Sequence, residues 1–245
     1  MSLIRQINIK LIVEKRLCVY YNMFSYRLQY NLIAVKDKEE KIMNLEIREL
    51  NEKDYKKAIQ FAIKGMHLNW YMNNEVILYL YGKYFWYMEM LHATHIISVY
   101  AGNELAGVLL AKIKGESQKY YSLTKSFYVK VFEILQNLFV KKGVNVYNMA
   151  NAEMFKQYYI ENSPDGELIF LAANLDIKIK GVGSTLLHEF EKRLKGKKIY
   201  LFTDSGCTYQ FYEHRGFERV GEKDIKMNLG NKTFDLQCLL YSKVL

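Results

Sequence analysis

Proline is almost absent: Pro164 is the single one in 245 residues. Long Pro-rich linkers are thereby excluded. Cysteine is scarce as well. Cys18, Cys207 and Cys238 are few, odd in number and far apart. Neither a disulfide framework nor a zinc-ligand spacing can be built from them, so no metal is expected, and the usage suits a reducing cytosol. No apolar run reaches the ~20 residues that a membrane span requires. The opening MSLIRQINIKLIVEKRL has charges breaking every apolar stretch and makes a poor signal peptide. A cytoplasmic chain with no membrane partner is the expectation. Internal repeats and low-complexity tracts are missing too.

What is present suffices for a buried core. Half of the residues are hydrophobic and a quarter charged, which allows one large domain or two small ones. The net charge of +9 favours an anionic partner: nucleic acid, a membrane surface or a phosphorylated small molecule. Residues 1–42 hold eight Lys/Arg against four acids, so +4 of the +9 lies there. Their apolar residues keep no sustained period, and they end near the charged run KDKEEK. We read 1–42 as a basic N-terminal extension and 43–245 as the domain proper. Without the extension the charge falls to +5. No zinc pattern, RNP-like strand or concentrated basic helix is present either, so nucleic acid is an unlikely partner.

From Met43 onward the elements are legible. Leu45 and Ile47 alternate with polar residues as a strand, and Asn51 caps a helix carrying Ala58, Ile59 and Ala62 and closed by Gly65. An aromatic-rich helix spans roughly 74–91. Residues 95–100 and 104–113 flank Gly102-Asn103, a hairpin signal. Helical patterns follow over 127–139 and 150–159. The turn Pro164-Asp165-Gly166 launches a strand over 167–174. Then come a helix over 184–194, a strand over 198–203, a short helix around 208–214, and closing strands over 217–220 and 234–241.

Between the strand at 167 and the helix at 184 stands LDIKIKGVGSTLLHEF. Gly181 and Gly183 remove side chains where the chain must turn and where a ligand can come close. The first amides of the next helix have no partner within it and carry the positive end of its dipole, a fitting place for phosphate. Lys178, Lys180 and the Ser184 hydroxyl add to that chemistry. A Walker loop would need lysine after Gly183, where Ser184 stands; a dinucleotide fingerprint would need a small residue where Leu186 stands. The remaining design is a single G-x-G with a basic residue three places before it. Further on, TDSGCTYQFYEHRGFERVGE again follows a strand, with Phe211-Tyr212 and Gly216-Phe217 spaced as one helical turn re-entering a strand.

Together these two segments resemble the GNAT superfamily of N-acetyltransferases, over roughly 45–241 and most specifically over 167–220. The resemblance implies an α/β (α+β) fold: a mixed, mostly antiparallel central sheet with helices on both faces and a helical insertion between the third and fourth strands. It implies a bulged fourth strand splayed from the fifth, with the pantetheine arm of acetyl-CoA in the gap, bonded to backbone near Ala173, Asn174 and Leu175. Amides of Lys178, Ile179, Lys180, Gly181, Val182, Gly183 and Ser184 would hold the pyrophosphate. Ser205 stands where the family often has an Asn on the cofactor arm, and Tyr212 matches the tyrosine beside the thioester sulfur. Lys178 replaces the usual Arg or Gln, Leu175 a frequent proline, and Ser205 is shorter than Asn.

Acyl transfer needs a neutral amine, donors for the thioester oxygen and a proton for the departing thiolate. Tyr212 is the candidate general acid, since a phenol holds its proton at pH 7, and a backbone N–H near Ala173 would polarise the carbonyl. Glu89, His95, Glu104, Glu153 and Asp204 are candidate bases by type alone. Cys207 has no His beside it in sequence, and direct transfer needs no nucleophile. Trp70 and Tyr71 are candidates for the acceptor pocket. The expected partners are a small-molecule or peptide amine acceptor and, as one option, a second copy of the chain. The runner-up functions are a non-catalytic acyl-CoA-binding relative and a basic nucleic-acid-binding module.

Overall fold

In the computed structural model, residues 44–71, 74–139, 144–229 and 232–245 are described. The extension read over 1–42 lies outside them. Strand β1 (Leu45–Arg48) leads through a 3-10 turn (Glu52–Asp54) into α1 (Tyr55–Gly65), a short α2 (Leu68–Tyr71) and α3 (Glu75–His92). The hairpin β2 (His95–Ala101) and β3 (Glu104–Ile113) follows, and then the insertion helices α4 (Leu123–Phe139) and α5 (Val144–Glu161). Next come β4 (Gly166–Ala173), α6 (Val182–Arg193), β5 (Lys198–Asp204), α7 (Gln210–Glu213), β6 (Glu218–Leu229) and β7 (Lys232–Val244). The seven strands form one sheet in the order β1-β2-β3-β4-β5-β7-β6. Every neighbouring pair is antiparallel except β4 with β5. The mixed sheet and two-helix insertion are those expected from the sequence.

Local chemistry sets the element ends. The Asn51 side chain accepts from the Lys53 amide at 3.0 Å, and that of Asn74 accepts from the Val76 and Ile77 amides at 3.0 and 3.1 Å, satisfying donors that a helix start leaves orphaned. Gly102 turns the β2–β3 hairpin at φ 60°, a conformation that costs glycine little. Apolar residues then divide into two cores. The first joins α1 and α3 to β2, β3 and β4 through Ala58, Ile59, Trp86, Met90, Leu110 and Phe170. The second lies beneath α5, where Ala150, Met154 and Tyr158 meet Ile225, Met227, Leu236 and Leu240 of β6 and β7. Helix α6 covers the other face, burying Val182, Leu186, Leu187 and Phe190.

The closing hairpin is much longer than the sequence reading had it. Ile225 and Met227 alternate with Asp224, Lys226 and Asn228, a period-two pattern that carries β6 on to Leu229. The insertion is tied to the first core by Lys125 of α4. Its ammonium lies 2.6 Å from the Tyr120 hydroxyl, 3.3 Å from the Glu52 carboxylate and 5.4 and 5.7 Å from the rings of Tyr55 and Tyr87. Phe132 stacks on Tyr84 at 4.6 Å. Among the described residues, no helix is long and apolar enough to cross a membrane, and no group of three His, Cys, Asp or Glu is gathered as metal ligands would be.

At Gly107 of β3, α6 packs directly on the sheet backbone. A Cβ there would lie 2.6 Å from Val182 Cγ1 and 3.0 Å from the Ala172 carbonyl oxygen. Gly107→Ala is therefore expected to destabilise the domain by about 1–3 kcal/mol through overpacking, read as a lower urea midpoint. Val182→Ala in the same chain should recover part of that loss.

Candidate active site

Strands β4 and β5 are paired only at Gly166–Ile199 and Glu167–Tyr200. Past that point β4 stays on β3 as far as Ala173, and β5 stays on β7 as far as Asp204. A cleft opens between them. The Asn174 amide donates to the Ala106 carbonyl at 2.6 Å, so strand alternation turns the N–H and C=O of Ala173 and Leu171 away from β3, into the cleft. Backbone groups of this kind call for a partner. The β3–β4 register skips Ile169, a β-bulge that puts one extra residue on β4. Its effect is to change which face each side chain takes. Glu167 and Phe170, an odd number apart, both face the α3 side, where Phe170 meets Phe85 at 5.9 Å and Trp86 at 6.2 Å. Leu171 faces α6, its Cδ2 3.7 Å from the Cβ position of Gly183.

At the mouth of the cleft α6 begins. Gly181 precedes it at φ 88°, in the left-handed region that favours glycine. The first helical bond runs from the Thr185 amide to the Gly181 carbonyl at 2.8 Å. The amides of Val182, Gly183 and Ser184 therefore have no acceptor inside the helix. Gly183 answers to a different demand: a Cβ there would stand 3.3 Å from the Phe211 ring, so its missing side chain makes room for α7. Lys178 and Lys180 are exposed and Ile179 is half-buried. Asn174 is buried and held by its own fold, with Nδ2 donating to the Leu105 carbonyl at 3.5 Å and Oδ1 accepting from the Asp176 amide at 3.0 Å. Leu175 beside it is 71% exposed, an apolar side chain left at the cleft edge. Ser205 turns its hydroxyl to the Gln237 amide of β7, at 3.0 Å, on the side of β5 away from β4.

Tyr212 packs among Phe211, Phe217 and Tyr241, with ring centroids at 5.4, 5.8 and 6.4 Å. Burial, and secondarily the Cys207 thiol, push its phenol above the usual range. The contact between Phe211 and Gly183 sets α7, and with it Tyr212, against the α6 turn. Cys207 Sγ lies 3.9 Å from the Gly65 carbonyl at the end of α1. Burial, followed by the Asp204 carboxylate, pushes its thiol up to about 12. A protonated thiol of this kind is no nucleophile.

On the α3 face the cleft narrows to a carboxylate pair. Lys112, Glu167 and Tyr200 stand side by side across β3, β4 and β5, with the Tyr200 hydroxyl donating to Glu167 at 3.0 Å. Glu89 of α3 is half-buried on the same side and feels the negative charge of Glu167. Burial and that charge raise Glu89 to about 7, against the pull of Lys112. Glu167 is also raised by burial, moderated by Tyr200 and Lys112. Of the other base candidates, His95 pairs with Glu116 at 2.6 Å, Glu104 with Lys57 at 2.5 Å and Glu153 with Lys223. The Asp204 carboxylate accepts from Tyr147 at 3.1 Å and from the Gly206 amide at 2.8 Å. Trp70 and Tyr71 belong to α2, but their side chains lie outside the described residues. Helix α5 flanks the cleft on the β5 side, with Phe155 4.5 Å from Tyr200. Sequence reasoning missed Glu167, which it treated only as the first residue of a strand. Its pairing with Glu89 across 78 positions leaves no local signal.

Compared with known proteins, the chain matches no protein-family model and no curated protein. Solved structures similar to it include PaiA N-acetyltransferase from Thermoplasma acidophilum in complex with coenzyme A. That match has 17% identity and a TM-score of 0.44, over 83% of this chain and 100% of that one. Polyamine N-acetyltransferase from Drosophila melanogaster matches at 9% identity and TM-score 0.48, over 82% and 100% of the two chains. An N-acetyltransferase from Staphylococcus aureus Mu50 matches at 16% identity and TM-score 0.45, over 81% and 100%.

A thiol pushed up to about 12 is ionised to roughly one part in 10⁵ at pH 7. Alkylation of Cys207 by iodoacetamide, followed by peptide mapping, should be slow and should still rise about tenfold per pH unit at pH 9–10, where an ordinary cysteine has levelled off.

Proposed function

We propose that the chain is an N-acyltransferase of the GNAT kind, moving an acetyl group from acetyl-CoA directly to the amine of a small molecule or peptide. The observation that supports this reading is the parting of β4 from β5 after two residue pairs, with the open first turn of α6 at the mouth of the cleft and Tyr212 beside that turn through Phe211, which abuts Gly183. The donor set fits such a coenzyme. Unpaired amides and lysines suit a diphosphate, and strand-edge groups of Leu171 and Ala173 suit the two amides of a pantetheine arm, bonded as an added strand. When bound, acetyl-CoA supplies an electrophilic thioester carbonyl and a thiol leaving group.

The chain's own residues divide the remaining work. A cleft-facing amide of β4 polarises the carbonyl oxygen as charge develops on it. The Glu89–Glu167 pair takes the proton of the incoming ammonium. Two neighbouring carboxyls in a desolvated site do not both ionise readily, so one holds a proton near neutral pH and the pair titrates where a base is useful. Tyr212, kept protonated by its surroundings, would give its proton to the departing sulfur and regain one from the nitrogen of the new amide, whose first proton the carboxyl pair has already taken. The amine reaches this group from the α3–α5 side, opposite α6. Chain segments 72–73 and 140–143, which adjoin α3 and the two insertion helices, lie outside the described residues.

Calorimetry with acetyl-CoA and a thiol-release assay over an amine panel test the reading: heat without thiol release would leave a binding protein, and neither signal would remove the proposal. Tyr212→Phe should lower kcat by about 10²–10⁴ with coenzyme affinity unchanged; an unaltered rate refutes the acid role. The rate should fall as pH drops below about 7, where Glu89 takes up its proton; Glu89→Gln should abolish that limb, and Glu167→Gln, which removes the lesser of the two causes, should only move it to lower pH. A buried carboxyl with a raised pKa costs stability as pH climbs from the unfolded value of about 4.3 through its folded one. Glu89→Gln should therefore raise the melting temperature more at pH 8 than at pH 5.

A further inference from the structure

Among the described residues, Arg48, Arg193 and Arg219 each pair with a carboxylate, of Glu46, Glu189, and Glu213 together with Glu222. Arg215 forms no such pair. Its guanidinium donates to the Ser184 hydroxyl on the first turn of α6 and lies 4.9 Å from the centre of the Phe211 ring. Both partners are neutral. The position is electrostatically costly, because a helix N-terminus already carries about half a positive charge. Lys178 and Lys180 belong to the same turn. The nearest acid in that loop, Asp176, is engaged through both oxygens by Lys64 at 2.7 Å. An anion is what this group of charges lacks.

The arginine is also held in place before any ligand arrives. Phe211, on which it rests, abuts Gly183. The Arg215 amide donates to the Tyr212 carbonyl at 3.0 Å, and its own carbonyl accepts from Lys243 at 2.7 Å. Lys243 is in turn held by Glu191 at 2.6 Å. A planar guanidinium fixed on an aromatic face presents its free edge as a fork for two phosphate oxygens.

Resting on the coenzyme reading above, we infer that Arg215 binds the ribose 3′-phosphate of coenzyme A, while the α6 amides and the two lysines take the diphosphate. Arg215 thereby selects coenzyme A over its 3′-dephospho form. The division follows from placement. The lysines precede the turn in the segment leaving β4, whereas Arg215 comes from the segment after α7 and reaches Ser184, so two separate phosphates suit the two sets of cations.

The test is calorimetry on the full chain with coenzyme A and with 3′-dephospho-coenzyme A, for the wild type, Arg215→Gln and Arg215→Lys. The wild type should prefer coenzyme A by about 10–100-fold, the worth of a charge-assisted fork. Arg215→Gln should erase the preference and leave the affinity for the dephospho form unchanged, a result that also certifies the fold. Arg215→Lys should keep part of it. Equal wild-type affinities, or an Arg215→Gln loss shared equally by both ligands, would overturn the assignment. Failure of the wild type to bind either ligand would instead strike down the coenzyme reading, and this inference with it.

Discussion

The architecture turns on one economy of hydrogen bonding: two adjacent strands of a continuous sheet share only two residue pairs and then diverge. A β4 edge with unpaired amides is tolerable because β3 holds it firmly on the other side, through Ala173. The bulge at Ile169 and the parting of the strands are one device. An extra residue increases the local twist of β4, turning it from β5 while bringing Glu167 and Phe170 to the same face. The open edge of β4 and the shared face of Glu167 and Phe170 both go with that irregularity.

Much of this was legible in the chain. Gly102-Asn103 announced the central hairpin, Pro164-Asp165-Gly166 the entry to β4, and the glycine turn at 181–183 the start of α6. These signals are local: a positive φ, a fixed proline dihedral, a helix that begins where a strand ends. The reading fell short where partners come from remote segments. The repulsion between Glu89 and Glu167 arises only when α3 crosses β4, and the isolation of Arg215 is a property of what fails to surround it. The length of the β6–β7 hairpin was missed for another reason. Its outer half alternates apolar with polar residues over only a few positions, and the Gly230-Asn231 pair between the two strands was not weighed as a hairpin signal. The two glycines of the turn had been given one purpose, whereas Gly181 serves the backbone and Gly183 makes room for Phe211.

The insertion between β3 and β4 extends the fold without disturbing its strand order. Helix α4 is moored by an ammonium set among tyrosine rings, an arrangement in which burial strips water from the charge and the aromatic faces and the Glu52 carboxylate replace it. Helix α5 travels further and roofs β5, β6 and β7. The insertion thus adds one wall beside the β4–β5 cleft, with Phe155 against Tyr200.

The two hydrophobic cores lie on opposite flanks of the β4–β5 seam, each assembled from its own strands and helices. Each half therefore brings its own oil drop; a short zip of backbone at Gly166–Glu167 and the Tyr200 hydroxyl stitches the sheet across the line between them, and α6 is fastened across it by Phe211 and Lys243. Such a joint resembles a clothes-peg in outline: two jaws joined at one end, each built on its own strands, with an open gap between them.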